Sequence, residues 1–256
     1  PICGVLGDSH GALLGQGCFA PGTAKATYGT GSSVMMQTGD ACIESTGGLV
    51  TSLAWGLSGR VNYVLEGNLN YTGAVISWLK KDVGLLRTDA ESEQLARQAH
   101  PGDRTYFVPA FTGLGAPYWD SEATGLLTGI TRTTGKAEIV RACLDSIAYQ
   151  ITDLLECMGR DAALPLAELR VDGGPTANRY LMQRQSDLAC LPLAVPAVQE
   201  LSALGAARAA AQGAGLCACK DFGRPAYTRY QPRMEEAERR ALYGGWQDAV
   251  RRTLYH

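Results

Sequence analysis

Three turns without bulky side chains mark the sequence: Gly7-Asp8, Gly29-Thr30-Gly31 and Asp172-Gly173-Gly174. Each follows an apolar, strand-like run. Phosphates favour such turns, because glycine lets backbone N–H groups reach an anion with no Cβ in the way and tolerates positive φ. Thr30 adds a hydroxyl donor. A helix beginning just beyond Gly174 would aim its positive end at the same anion. Asp8 is the best candidate for acid–base chemistry: a carboxylate set between Gly7 and the small Ser9 can accept a proton from a substrate hydroxyl. Each signal also has a plainer structural reading. Gly-Thr-Gly and Gly-Gly are common turns, Asp8 can cap a helix starting near His10, and His10 can cap or pack. The stretch Gly129 to Lys136 resembles a P-loop, but its glycine spacing is one residue too long and Ala137 replaces the required Ser or Thr.

The elements that must hold these residues follow from periodicity. Residues 2–6 read as a short buried strand and 12–18 as a short helix. Residues 24–28 and 33–38 form a strand pair around the Gly29–Ser32 turn, and 49–55 and 60–66 a second pair around 56–59. Residues 71–81 have helical apolar spacing, with Val75, Trp78 and Leu79 on one side; a polar helix at 89–99 and a strand at 105–108 follow. The Gly-, Pro- and Thr-rich segment 109–135 is expected to be an ordered loop. The clearest helix is 137–158, with Val140, Leu144, Ile147, Ile151, Leu154 and Met158 recurring at helical intervals and Gly159 at its end. A strand at 168–172, a helix at 178–189, an extended stretch at 192–196, a helix capped by Ser202 and ending near Gly213, and an amphipathic helix at 233–254 complete the chain. Strand pairs followed by alternating helices and strands predict one α/β domain over 1–256, with a mixed sheet and helices on both faces.

Composition narrows the classes. The chain has 256 residues, is 46% hydrophobic and carries a net charge of -2. No basic excess marks a nucleic-acid partner, and no apolar run reaches the roughly 18 residues of a membrane span. Pro1 opens directly into an apolar run with no signal peptide, so the chain is expected to be a segment of a longer polypeptide. Eight cysteines with no pair of C-x-x-C knuckles, and three scattered histidines, argue against a zinc site. Reduced thiols in a cytoplasmic protein are expected, Cys217 and Cys219 included.

Taken together, the stretches 7–18 (GDSHGALLGQGC), 24–39 (AKATYGTGSSVMMQTG), 62–67 (NYVLEG), 106–125 (YFVPAFTGLGAPYWDSEATG), 146–156 (SIAYQITDLLE), 171–188 (VDGGPTANRYLMQRQSDL) and 195–207 (VPAVQELSALGAA) resemble the glycerol kinase branch of the FGGY carbohydrate kinases, in family order and spacing. The resemblance implies a ribonuclease H-like domain of the actin and Hsp70 type. It further implies that this is the C-terminal, nucleotide-binding half of a two-domain enzyme whose N-terminal domain lies outside the chain. That missing half would supply an Asp-x-Gly-Thr phosphate loop and most of the substrate contacts. The activity implied is ATP-dependent phosphorylation of a hydroxyl on glycerol or a related polyol or sugar, with Mg²⁺, in a cytoplasmic enzyme that is a homo-oligomer at full length. By resemblance Asp8 is the catalytic base, touches substrate and lies near the magnesium, and Ser9 contacts substrate; the three turns are then expected to gather on one wall of a cleft, with Asp8 facing the triphosphate end of the nucleotide. Thr30 would meet the nucleotide phosphates, Gly73 and Ser77 would line the ATP site, and Gly174 and Asn178 would hold the adenosine side.

The chain departs from the glycerol pattern. Family members usually carry Asp-Gln-Gln where this sequence has Asp8-Ser9-His10, and an aromatic residue where it has Ser33; Ser77 replaces a family Gln. The first two changes widen or polarise the pocket and admit a larger polyol or sugar. Two other classes compete with a kinase: a non-catalytic nucleotide-binding or degenerate module, and an actin-like or chaperone-like ATPase. The PAFTGLGAPYWD block at 109–120 speaks against the latter. Within it, Tyr118 and Trp119 can be substrate-side or packed core.

Overall fold

The computed structural model describes residues 1–57, 59–223 and 225–254. In chain order the elements are α1 (Asp8–Gly15), β1 (Thr23–Tyr28), β2 (Ser32–Gly39), β3 (Val50–Leu57), β4 (Arg60–Leu69), α2 (Gly73–Lys81), α3 (Glu91–Gln98), β5 (Tyr106–Val108), β6 (Leu126–Thr128), α4 (Lys136–Ala162), β7 (Glu168–Gly173), α5 (Arg179–Ala189), β8 (Leu193–Pro196), α6 (Leu201–Gly213), β9 (Tyr227–Tyr230) and α7 (Glu236–Leu254). A short 3-10 turn, Gly174–Ala177, joins β7 to α5.

Seven strands make the central sheet in the order β3-β4-β2-β1-β7-β8-β9. β7 runs parallel to β1 and β8, and the other pairs are antiparallel. β1 carries the alternation that separates the two faces. Ala24, Ala26 and Tyr28 enter one core with Val34, Met36, Leu65, Leu144, Ile151, Leu169 and Val171, while Lys25 and Thr27 face the other way. That second face holds a smaller core of Leu13, Leu14, Met35, Ala54, Trp55, Val64 and Ala209 under α1 and α6. Helices therefore cover both faces of a mixed sheet, as expected from the sequence.

Glycines set the closest helix contact. A Cβ on Gly15 would strike the Leu201 carbonyl oxygen, and one on Gly205 would strike that of Gly11, so α1 and α6 touch backbone to backbone. This fixes the start of α1, and the Ser202 hydroxyl donates to the Asp8 carbonyl at 2.8 Å. Ser202 is thus no cap: α6 begins at Leu201 with Glu200 at the cap position.

Several expected elements change. Residues 2–6 form no strand, since Ile2 is 88% and Val5 82% exposed and Gly4 lies against the backbone of Ala209 and Ala210. The helix expected at 12–18 begins four residues earlier, at Asp8. The 109–135 segment contains β6, paired with β5. α4 passes Gly159 and ends at Ala162, and the cap residue Ala163, with a φ of 48°, supplies the left-handed stop. β9 is an edge strand that periodicity did not reveal. Ser58, in the turn expected at 56–59, lies outside the described residues.

Candidate functional site

The parallel pairing of β1 and β7 sets Tyr28 opposite Gly173, so the two strands end side by side. Their following turns, Gly29-Thr30-Gly31 and Gly173-Gly174, therefore converge where the strands' carboxyl ends meet, the usual ligand position in such sheets. They open on a cavity of about 1040 Å³. Thr30, Gly73, Ser77, Gly174 and Asn178 all line it. Trp78 and Phe111 form part of its apolar wall, their rings 5.1 Å apart.

Backbone chemistry shapes the turn end of the cavity. The first amides of α2 are already used: Thr72 and Ala74 N–H donate to the Thr30 carbonyl and Gly73 N–H to that of Gly29, each at 3.0 Å. A Cβ on Gly73 would collide with the Gly29 carbonyl oxygen, so glycine there is what lets α2 dock on the turn. With its carbonyl held inward, Thr30 is exposed, and its hydroxyl and N–H have no protein partner among the described residues. Gly173 needs to be glycine for its own fold: φ is 98°, and a Cβ would overlap the Tyr28 carbonyl oxygen. At Gly174 a Cβ would meet no protein atom within 4 Å. Its bareness is not required by packing and leaves a cradle open to the cavity. A phosphate group fits that arrangement.

Other parts of the cavity wall are polar. Asn178 caps α5, its Oδ1 accepting from Leu181 N–H at 3.0 Å, while its Nδ2 donates to Ser92 at 3.2 Å. Glu93 accepts from Arg179 N–H at 3.0 Å and pairs with Arg97 at 2.8 Å. Lys80, Lys81, Ser92, Glu93 and Arg97 are cavity residues that sequence reasoning missed. A signal for two of them was present: Gly73, Ser77, Lys80 and Lys81 recur at three- and four-residue intervals, so they share a helix face.

Asp8 and Ser9 do not line this cavity. The expectation that all three glycine turns share one wall is corrected: two of them do, and Gly7-Asp8 stands across the sheet, because α1 packs on α6 over the second face. Asp8 still lies at the carboxyl-end edge. α6 starts directly after β8, and Ser202 in its first turn holds the Asp8 carbonyl. Asp8 is exposed, and its Oδ1 accepts the Ser9 N–H at 2.7 Å. It is the first residue of α1, with Gly7 at the cap. His10 is 3.3 Å from the Ser52 hydroxyl.

The remaining candidates resolve into structure. Gly135 N–H donates to Glu138 at 2.9 Å at the start of α4, so the P-loop-like stretch is a capped helix start. Tyr118 is half-buried and donates to Asp153 at 2.9 Å, whereas Trp119 is 60% exposed. All eight cysteines are free. Among the described residues no three His, Cys, Asp or Glu side chains converge as a metal cage. Magnesium in phosphoryl-transfer sites is commonly held by one or two carboxylates with water and phosphate oxygens, a donor set to which Asp8 conforms. Among the described residues no helix is long and apolar enough to cross a membrane.

Sheet order, helices on both faces and a cavity at the strand ends define a ribonuclease H-like α/β domain of the actin and Hsp70 type. The chain belongs to the FGGY family of carbohydrate kinases, whose C-terminal domain it matches over residues 24–214. It is 47% identical over 256 residues to a glycerol kinase of Carboxydothermus hydrogenoformans, covering 99% of this chain and 51% of that protein. It is 44% identical to a glycerol kinase of Geobacillus kaustophilus, covering 99% and 52%. The chain thus spans about half the length of the curated relatives it matches. A solved Plasmodium falciparum glycerol kinase with ADP superposes with a TM-score of 0.91 at 33% identity, over 98% of this chain and 51% of that one. A xylulose kinase from Lactobacillus acidophilus shares the fold, with a TM-score of 0.84 at 22% identity over 96% and 50%.

Proposed function

We propose that this chain is the nucleotide-binding half of an ATP-dependent kinase that phosphorylates a hydroxyl of glycerol or a related polyol or sugar. One observation carries the reading: Thr30, Gly73, Ser77, Gly174 and Asn178, scattered through the sequence, line one cavity at the carboxyl ends of β1 and β7. The Thr30 hydroxyl and N–H face the phosphates; Gly174, which the resemblance sets on the adenosine side, is assigned to the phosphates instead, because its turn adjoins that of Thr30 at the ends of β1 and β7. Ser92 and Asn178 hold the far, nucleoside end. Asp8, across the sheet edge, takes the proton from the attacking hydroxyl and contributes to holding Mg²⁺, which when bound neutralises phosphate charge. Ser9 beside it meets the substrate. Phosphoryl transfer leaves the protein chiefly positioning and electrostatic work, and these residues supply it.

The reading places a second domain opposite Asp8, supplied by the half of the relatives' length that this chain does not span. The enzyme would be cytoplasmic and homo-oligomeric. The test is a coupled ADP-release assay over a polyol and sugar panel, on the full-length protein and on this chain alone. Turnover by the full-length protein and none by the isolated chain is expected. Many turnovers per second from the isolated chain would refute the division of labour. A non-catalytic nucleotide-binding module is the second reading, favoured by Ser9 and Ser33; nucleotide binding without transfer to any acceptor would establish it.

A further inference from the structure

Lys25 is the residue least expected where it stands. Its side chain is 0% exposed, and lysine is almost never fully buried unless paired. It lies on β1 and faces the second side of the sheet, with Asp8. Burial pushes its ammonium below the ordinary lysine range, against the pull of Asp172, Glu66 and Asp8. Its Nζ donates to Thr27 Oγ1 at 3.1 Å and to Ser33 Oγ at 3.2 Å.

The sheet register makes this more than a buried charge. Thr27 is opposite Asp172 on β7 and opposite Ser33 on β2, and Ser33 is opposite Asn68 on β4. Residues directly opposite share a face, so Asp172, Thr27, Ser33 and Asn68 form one polar row across four strands. The row lies just before the Gly29–Gly31 turn. Asp172 is buried, Thr27 and Ser33 are half-buried and Asn68 is exposed, so the row opens outward toward Asn68.

An ammonium only donates, while a hydroxyl has one proton and two lone pairs. Thr27 and Ser33 both accept from Lys25, so their own protons point elsewhere. Thr27 gives its proton to Asp172, which also accepts from Gln16 Nε2 at 2.8 Å. The Ser33 proton has no protein acceptor among the described residues. Ser33 is left as an oriented donor on the open, Asp8-bearing face.

We propose that Lys25 is a positioning residue: by occupying the acceptor side of Ser33 it holds that hydroxyl as a donor to an oxygen of the phosphoryl acceptor, and so selects polyols or sugars that carry an oxygen at that point. The proposal rests on the kinase reading above and deepens it. Lys25 touches no substrate itself and acts through Ser33.

The test uses the full-length protein with ATP and a graded polyol series from glycerol to hexitols. Lys25→Met and Ser33→Ala are each expected to raise KM for the preferred acceptor about five- to tenfold, the loss of one hydrogen bond. KM for ATP stays within about twofold, since neither residue lines the nucleotide cavity. The double variant is expected to be no worse than either single one, because both remove the same interaction. Ser33→Thr, which keeps the hydroxyl, is expected to restore the acceptor KM. Lys25→Met leaves buried Asp172 without its neighbouring cation and is expected to melt below the parent, whereas the Ser33 variants keep Lys25 and are expected to melt with it. Equal rises in both KM values, additive single effects, or a Ser33→Ala variant indistinguishable from the parent would each overturn the proposal. Should Lys25→Met fail to fold, the Ser33→Ala and Ser33→Thr pair decides it. A parent enzyme that phosphorylates no member of the series overturns the kinase reading and this inference together; an active parent with unaffected variants overturns only the inference.

Discussion

The two faces of the central sheet differ in kind. One is largely apolar, with α4 laid across it and the side chains of Ala24, Ala26, Tyr28, Met36, Leu65 and Val171 beneath. The other is apolar only under α1 and α6. Toward the carboxyl ends of β1 and β7 it turns polar, with Lys25, Thr27, Ser33, Glu66 and Asp172, and lies open beside Asp8. On the proposed function the first face is scaffold with the nucleotide cavity on its rim, and the second is one wall of the active-site cleft. The difference teaches that substitutions on the first face should register as lost stability, and those on the second as lost turnover.

The largest expected effect breaks or keeps that division outright. Asp8→Asn should lower kcat by about 10²- to 10⁴-fold, the usual contribution of a positioned base, with nucleotide affinity and melting temperature unchanged. Equal losses of affinity and kcat would mean that Asp8 belongs to the nucleotide cavity after all.

The scaffold side is next. Asp153 is fully buried in α4 and accepts from Tyr118 at 2.9 Å, Tyr243 at 2.7 Å and Trp246 at 2.8 Å. Burial outweighs these donors and pushes its carboxyl from 3.8 up to about 6. The folded state therefore holds this proton to higher pH than the unfolded chain does. Stability from this group is complete below the unfolded value and falls as pH rises toward and through about 6. The fall should total about 3 kcal/mol. Subtracting the urea unfolding curves of Asp153→Asn from those of the parent across this range isolates it. A difference that grows with pH would reverse the assignment. Turnover measured where both proteins are folded should differ little.

Thr30→Ala tests the rim between the faces. It should weaken nucleotide binding about tenfold, as for a hydrogen bond to a charged group, and leave the fold intact, because Thr30 is exposed and its side chain has no protein partner among the described residues. Calorimetric titration with ADP and Mg²⁺ checks it. The smallest effect belongs to Trp119, which is 60% exposed and tied to the Gly48 carbonyl at 2.6 Å. Trp119→Ala should change stability by about 1 kcal/mol and ATP affinity not at all.

Much of the scaffold was legible because burial leaves a period. The 137–158 helix and the strand pairs at 24–38 and 49–66 announced themselves through apolar spacing, and the structure differs there mainly at the ends. Residues 2–6 misled because an apolar run records a need for contact but not its partner. Gly4 meets the α6 backbone, and the sheet edges belong to β3 and β9. β9 (Tyr227–Tyr230) was silent, being short and at the edge. Ser202 looked like a cap, yet its hydroxyl is spent on Asp8, a contact between residues far apart in sequence. Of the cavity residues, Thr30 and Gly174 stood out through their glycine turns, while Gly73, Ser77 and Asn178 came only from the family resemblance. Ser92, Glu93 and Arg97 were not found, because a polar helix reads the same whether its face meets water or a cavity. Lys25 was hidden for the opposite reason: nothing in a single sequence says that a lysine is buried.

The central claim is that the cavity under Gly174 receives the nucleotide phosphates, and Gly174→Val tests it most directly. A Cβ there would meet no protein atom within 4 Å, which leaves room for the valine methyls, so the fold should hold while the cradle is filled. Calorimetric titration of parent and variant with ADP and Mg²⁺ should show affinity falling about tenfold or more, equivalent to at least about 1.4 kcal/mol, at an unchanged melting temperature. A variant that binds ADP as tightly as the parent would contradict the account.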